Sequence, residues 1–435
     1  MPQGEVWAET YAPAGVNITV DADWQKDLVS IRQANFSAVR LPLRWDTIET
    51  IQGKYDFSLY DPVVQQARTL GLDVLVLLTG TNSLYSQGDM THAFARYAGR
   101  VAERYRSLVY AYELFENIQQ YAGPIGGISF SQPLALSYST TFFLSFQAIR
   151  AFDPFAKVYV GGVSPEDEVF LETLRARGVF SFADGISLLL PFSSSTYADY
   201  STYLHTYQIL DYIRRLVGAK KDILLGRLGL QGYLPSGEER ASALARLTLS
   251  LSAMGVDRWF LDPLHNSDEN SMDGILPPEG LPKPVYVMFL SLNSFLAGMK
   301  PAYPPFSFQV LYPGMVVEQS QSYFFQNGGA GAIVFWSTGA KDSGILTARA
   351  PGFVPLALLD PSLASPIQFT FQKTEEGWYI QGLPPRSYPL ILMMKSQDLL
   401  NLFPEMSPQA SPEVLRLSPL PAPSGSSTGE GSAGS

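Results

Sequence analysis

The sequence predicts a (β/α)8 barrel followed by a smaller, sandwich-like all-β domain. Three observations carry this. Strand-like apolar runs alternate with helix-period segments eight times between Ala12 and Leu296. The run Leu72–Gly80, LDVLVLLTG, is apolar nearly throughout, as strands covered on both faces are. After Gly298 the pattern shifts to short aromatic-rich runs cut by Gly, Pro and Asn turns.

The elements follow in order. Ala12–Val20 reads as the first strand, and Asp21–Asn35 as a helix with Leu28, Ile31 and Ala34 on one side. Phe36–Trp45 is the second strand and carries Arg40, Arg44 and Trp45. Tyr60–Leu70 is helical and is stopped by Gly71. Leu72–Gly80 is the third strand, and His92–Ser107 the helix that leads to the fourth, Leu108–Phe115. That strand ends on Glu116-Asn117, the way a barrel delivers polar groups to its catalytic face. The later strands are Ala156–Gly162, Asp184–Pro191, Asp222–Gly229 and Asp257–Leu264. Helices at Tyr138–Phe152, Glu166–Arg177, Tyr200–Leu216, Glu238–Met254 and Pro284–Leu296 separate and follow them.

The chain divides into an N-terminal segment 1–11, the barrel 12–298, the β-domain 299–400 and a Pro/Ser/Gly-rich tail 401–435 expected to be disordered. At 435 residues and 46% hydrophobic, it is long enough for a large core. A net charge of −10 argues against nucleic acid, whose recognition needs a basic footprint. With no cysteine, disulfides and thiol chemistry are excluded. His92, His205 and His265 lie far apart in sequence, so no metal site and no cofactor is expected. No apolar run reaches the ~20 residues that span a bilayer. The opening MPQGEVWAE lacks a charged segment leading into an apolar core, so no signal peptide is expected.

Two stretches resemble clan A glycoside hydrolases, nearest to the xylosidase and exopolysaccharide-hydrolase type with a trailing β-sandwich. The first is FSAVRLPLRWDTIETIQGKYDF, with Val39-Arg40, Trp45, Ile48-Glu49, Gly53, Tyr55-Asp56-Phe57 and then Asp61 in the family's order. The second is ERYRSLVYAYELFEN, similar to the segment that brings in the acid/base glutamate. The resemblance implies a glycan or polysaccharide partner, an extracellular or cell-envelope location, and protein partners in an envelope assembly.

Retaining glycosidases place two carboxylates ~5–5.5 Å apart, one as acid/base and one as nucleophile. The resemblance implies that these stand at the ends of strands four and seven. Here it puts Asn117 at the acid/base station, with Glu116 before it, and Arg227 at the nucleophile station. An amide transfers no proton at neutral pH, and a guanidinium cannot attack an anomeric carbon. Leu190 and Phe192 replace the polar pair expected after strand six.

The favoured expectation is a degenerate hydrolase that binds a glycan or serves as an envelope component. An active enzyme would need relocated carboxylates, with Glu116 working alongside Asp262 or Glu166; a purely structural subunit is the third possibility. Arg40 is expected to pair with Glu116 or another barrel carboxylate, and Glu113 to be a buried partner of an arginine. Arg40, Trp45, Glu116, Tyr197, Tyr200, Tyr203 and Trp259 are the candidate cleft residues, the tyrosines as sugar-stacking platforms.

Overall fold

The computed structural model describes residues 14–396 other than 22, 87, 118–130, 191, 194–199, 232–235, 267–273, 277–281, 315–319 and 351. Eight parallel strands close a barrel: β1 (Ala14–Asn17), β2 (Ala38–Arg44), β3 (Asp73–Thr79), β4 (Ala111–Glu116), β5 (Lys157–Val163), β6 (Gly185–Leu189), β7 (Asp222–Leu228) and β8 (Arg258–Leu261). Each pairs with its neighbours in sequence, and β1 pairs with β8.

Inward-facing residues recur every second position along a strand, so they stack in layers. The lower layer is apolar, with Ala38, Leu75, Ala111, Tyr159, Leu224 and Phe260 buried together. Phe260 fits because β1 offers only Gly15, where a Cβ would stand 2.4 Å from the ring. Two residues further along the same strands the interior turns polar, with Asn17, Arg40, Glu113 and Ser187. The barrel is thus sealed below and charged above.

The chain then builds two antiparallel sheets, one of six strands and one of four. Neighbouring residues of the six-stranded sheet alternate between two cores. Phe324, Ile333, Phe335, Leu358, Leu390 and Leu392 face the second sheet. Phe325, Val334, Trp336, Leu359 and Ile391 join the barrel's core. A sheet apolar on both faces is what lets this unit pack as a sandwich and against the barrel at once.

The helix Gly237–Ala253 lies at that junction and is buried from Arg240 to Ser252. Its Ser242 and Arg246 both donate to Ser387 O, at 3.0 and 2.8 Å. Two strands of the sandwich, Gly344–Arg349 and Phe353–Asp360, are poor in aromatics, unlike the runs that mark this domain in the sequence. Pro355 sits at an irregular point of the second, which is where a sheet tolerates proline. Among the described residues no helix is long and apolar enough to cross a membrane.

Candidate functional site

The polar layer opens at the ends of the strands, and Arg40 is its centre. Its side chain is fully buried and grips Glu113 with two bonds, Nε to Oε2 at 2.7 Å and Nη2 to Oε1 at 3.0 Å. Its Nη1 donates to Asn17 Oδ1 at 2.9 Å, and Asn17 in turn donates to Gly226 O at 2.8 Å. Glu113, itself 0% exposed, accepts a further bond from Gly162 N. Burial opposes the charge on Arg40, but Glu113 and then Glu116 outweigh that, and its pKa lies above the ordinary arginine value.

Strict alternation would turn Glu116 away from Glu113. The chain breaks the period at Phe115, which adopts a left-handed backbone with φ 67°, and again at Asn117 with φ 51°. Phe115 stacks instead on Phe94, with ring centroids 4.2 Å apart, outside the barrel. Glu116 therefore turns inward, and its Oε1 lies 2.7 Å from Arg40 Nη2. That approach is an ion pair off the line of the N–H bonds, because Oε1 accepts no aligned hydrogen bond. Gly161 makes the kink possible: a Cβ there would stand 1.9 Å from Phe115 O. Asn117 N closes the turn onto Gly162 O at 2.7 Å.

Arg227 stands at the rim. The pairing of β7 is irregular on both sides, between Leu188 and Leu189 of β6 and between Trp259 and Leu261 of β8. Such irregularities re-aim side chains at barrel rims. Gly226, just before Arg227, faces inward where a Cβ would meet Ser187 Oγ at 2.7 Å and Arg40 Nη2 at 3.2 Å. Arg227 Nε and Nη2 donate to Asp262 Oδ2 at 3.1 and 2.7 Å, and its Nη1 lies 3.7 Å from Glu116 Oε2. Its side chain remains 53% exposed. Burial lowers its pKa, but Asp262 and then Glu116 raise it further, for a net upward shift.

Glu113, Arg40, Glu116, Arg227 and Asp262 thus form one chain of alternating charge from the barrel's interior to solvent. The structure brings Glu116 and Asp262 together, bridged by Arg227. It leaves Glu166 exposed on the connection after β5, and among the described residues no ion pair links it to the network. Asn17 and Ser187 went unrecognised in the sequence; their positions two residues beyond Gly15 and Gly185 are the signal that finds them.

Several candidate cleft residues are corrected. Trp45 is 0% exposed: it opens a short helix after β2, donates to Glu49 Oε2 at 2.6 Å and stacks between Tyr85 and Tyr97. Glu49, also buried, accepts Gly53 N and Tyr85 OH at its other oxygen, so this pair pins the loop after β2. Trp259 is buried against Phe289 and donates to Ser252 Oγ. Tyr203 is buried on the helix Tyr200–Val217 and presents no stacking face at the surface. Tyr197 and the side chain of Tyr200 lie outside the described residues. Leu190 and Phe192 are buried, and Phe192–Ser193 pairs with Leu230–Gln231 as a short parallel ribbon.

Among the described residues one group has metal-ligand spacing: ligand atoms of Asp21, Asp27 and His265 lie within 4.8 Å of one another. His265 Nε2 and Asp27 Oδ2 already share a hydrogen bond at 2.8 Å. No other role follows from the cluster.

A sequence profile of glycoside hydrolase family 42, described as beta-galactosidase, matches residues 10–84. This covers β1 to β3 and the Arg40–Trp45–Glu49 segment. A family 39 glycoside hydrolase from the gut symbiont Bacteroides cellulosilyticus superposes with a TM-score of 0.65 at 18% identity, over 90% of this chain and 82% of that one. This chain thus has a glycoside-hydrolase fold, a parallel (β/α)8 barrel followed by antiparallel sheets. A family 30 subfamily 8 xylanase from Clostridium acetobutylicum is similar over 89% of this chain and 96% of its own, with a TM-score of 0.58 at 9% identity. A monomeric beta-xylosidase from Caulobacter crescentus gives the same coverage and TM-score at 12% identity. This glycoside-hydrolase-fold protein therefore shares the whole two-part architecture with those enzymes.

Proposed function

We propose that the protein is a non-hydrolysing member of this fold that binds a glycan at the barrel mouth. The observation that carries the reading is the Glu116–Arg227–Asp262 bridge. A retaining mechanism needs one carboxylate free to attack and another free to exchange a proton. Here Asp262 is hydrogen-bonded to Arg227 and Glu116 lies between Arg40 and Arg227, and the amide that follows it, Asn117, transfers no proton. Glu113 is no substitute, since it is buried behind Arg40. What remains at the rim is a water-accessible set of donors and acceptors suited to sugar hydroxyls.

A structural-subunit reading is second. It is favoured by the burial of Trp45, Trp259, Leu190 and Phe192, which withdraws those side chains from any stacking platform.

Hydrolysis of a panel of aryl glycosides and bacterial exopolysaccharides, alongside Glu116→Gln, tests the proposal. The expected result is no turnover by either protein, with glycan binding retained in calorimetry. Turnover lost in the variant would make Glu116 an acid/base and end the non-hydrolysing reading. Neither turnover nor binding would favour the structural subunit.

A further inference from the structure

The mouth already holds a cation of its own. Arg227 sits between two carboxylates, with Asp262 Oδ2 at 2.7 Å from Nη2 and Glu116 Oε2 at 3.7 Å from Nη1. Both of its hydrogen bonds run to a single oxygen of Asp262. It is half-exposed, so its long side chain can leave without opening the core. Glu116 cannot follow it, because Arg40 holds that carboxylate from behind. Removing the guanidinium would leave Glu116 Oε2 and the Asp262 carboxylate without a cation at the place it vacates.

We propose that this place is a cation subsite, filled by Arg227 when no ligand is present, and that the mouth selects glycans bearing free amino sugars. The proposal rests on the glycan-binding reading above and names its sugar chemistry. A ring ammonium is compact and offers three donors, so it can replace the guanidinium between Glu116 and Asp262. A neutral N-acetyl sugar brings no charge to balance the two carboxylates once Arg227 moves. A uronate would meet them as a like charge.

Among the described residues, the connections beside the mouth offer an anion little. Arg44, at the end of β2, is already paired with Asp46 at 2.7 Å, and exposed Asp21 and Glu166 add negative charge on the connections after β1 and β5.

Calorimetry on the full chain with short oligomers of β-1,4-linked glucosamine, N-acetylglucosamine and galacturonic acid tests this, at a pH where the amine is protonated. The glucosamine oligomer is expected to bind about tenfold or more tighter than its acetylated form, as when a charge-assisted hydrogen bond replaces a neutral one. Arg227→Gln should tighten the amine complex further, and Glu116→Gln should weaken it.

Equal affinity for the amine and acetylated oligomers overturns the charge selection while leaving glycan binding intact. So does a preference for the uronate. An amine preference that ignores Glu116→Gln is general attraction to an acidic surface and overturns the subsite. Binding of none of the three overturns both this proposal and the glycan reading. The wild-type comparison stands even if a variant folds poorly.

Discussion

Two arginine–carboxylate pairs of the same chemistry stand one layer apart in this barrel. Arg40 and Glu113 are sealed from water, joined by two hydrogen bonds and backed by Asn17 and Gly162 N. Arg227 and Asp262 are joined at the rim through one carboxylate oxygen, with Arg227 half in solvent. The buried pair is shielded from solvent, so neither group can exchange its protein partners for water. The rim pair can exchange protein contacts for water or ligand at small cost. Burial, not residue type, separates the inner pair from the rim pair.

The largest effect expected from breaking this contrast is at the inner pair. Arg40→Met should cost about 3–5 kcal/mol, because it strands the buried Glu113 carboxylate. Urea unfolding monitored by circular dichroism measures it, and a loss below about 1 kcal/mol would mean that water reaches this layer. Next is Gly161→Ala, whose Cβ would collide with Phe115 O and should cost about 1–3 kcal/mol. If thermal unfolding shows no loss, the kink of β4 does not depend on this close approach.

A smaller, pH-dependent effect belongs to Asp27. Burial raises its pKa above the ordinary 3.8, with His265 pulling the other way. A raised carboxylate favours the folded state below 3.8, and that contribution fades as pH rises through the folded-state pKa. Asp27→Asn should therefore gain stability relative to wild type across that rise. Parallel unfolding midpoints against pH would reveal a flat difference if the shift is absent. Smallest is Arg227→Ala, expected to change stability by at most about 1 kcal/mol and to do so less at high salt. An effect as large as that of Arg40→Met would erase the distinction between the layers.

The barrel was legible because its strands are buried on both faces and its helices keep one apolar stripe. Both signals are local, and β2, β3 and β7 fall within the stretches read from them. The Arg40–Glu113 pair was also legible, since both residues face inward by simple alternation. The sandwich was only partly so. Phe353–Asp360 contains Pro355 and packs apolar residues on both faces, and neither feature gives a period of two.

The place of Trp45 was not legible for a related reason. Trp45 stands where a strand ends, but the short helix Trp45–Ile48 folds it into the core against Tyr85 and Tyr97. Nothing in the residue's type distinguishes a stacking platform from a packed ring.

By itself the sequence determined the closed barrel, its order of strands and the placing of Glu116 and the amide Asn117 at the end of the fourth. It also determined that a permanent cation, Arg227, follows Gly226 on the seventh strand. Only the tertiary structure decided that Glu116 joins Glu113 on the inside, because a left-handed Phe115 overrides the alternation that local pattern predicts. It also decided that Arg227 reaches both Glu116 and Asp262, through strand irregularities no single segment encodes. Contacts between strands far apart in the chain set these positions, and the free energy that holds them appears only when the barrel closes.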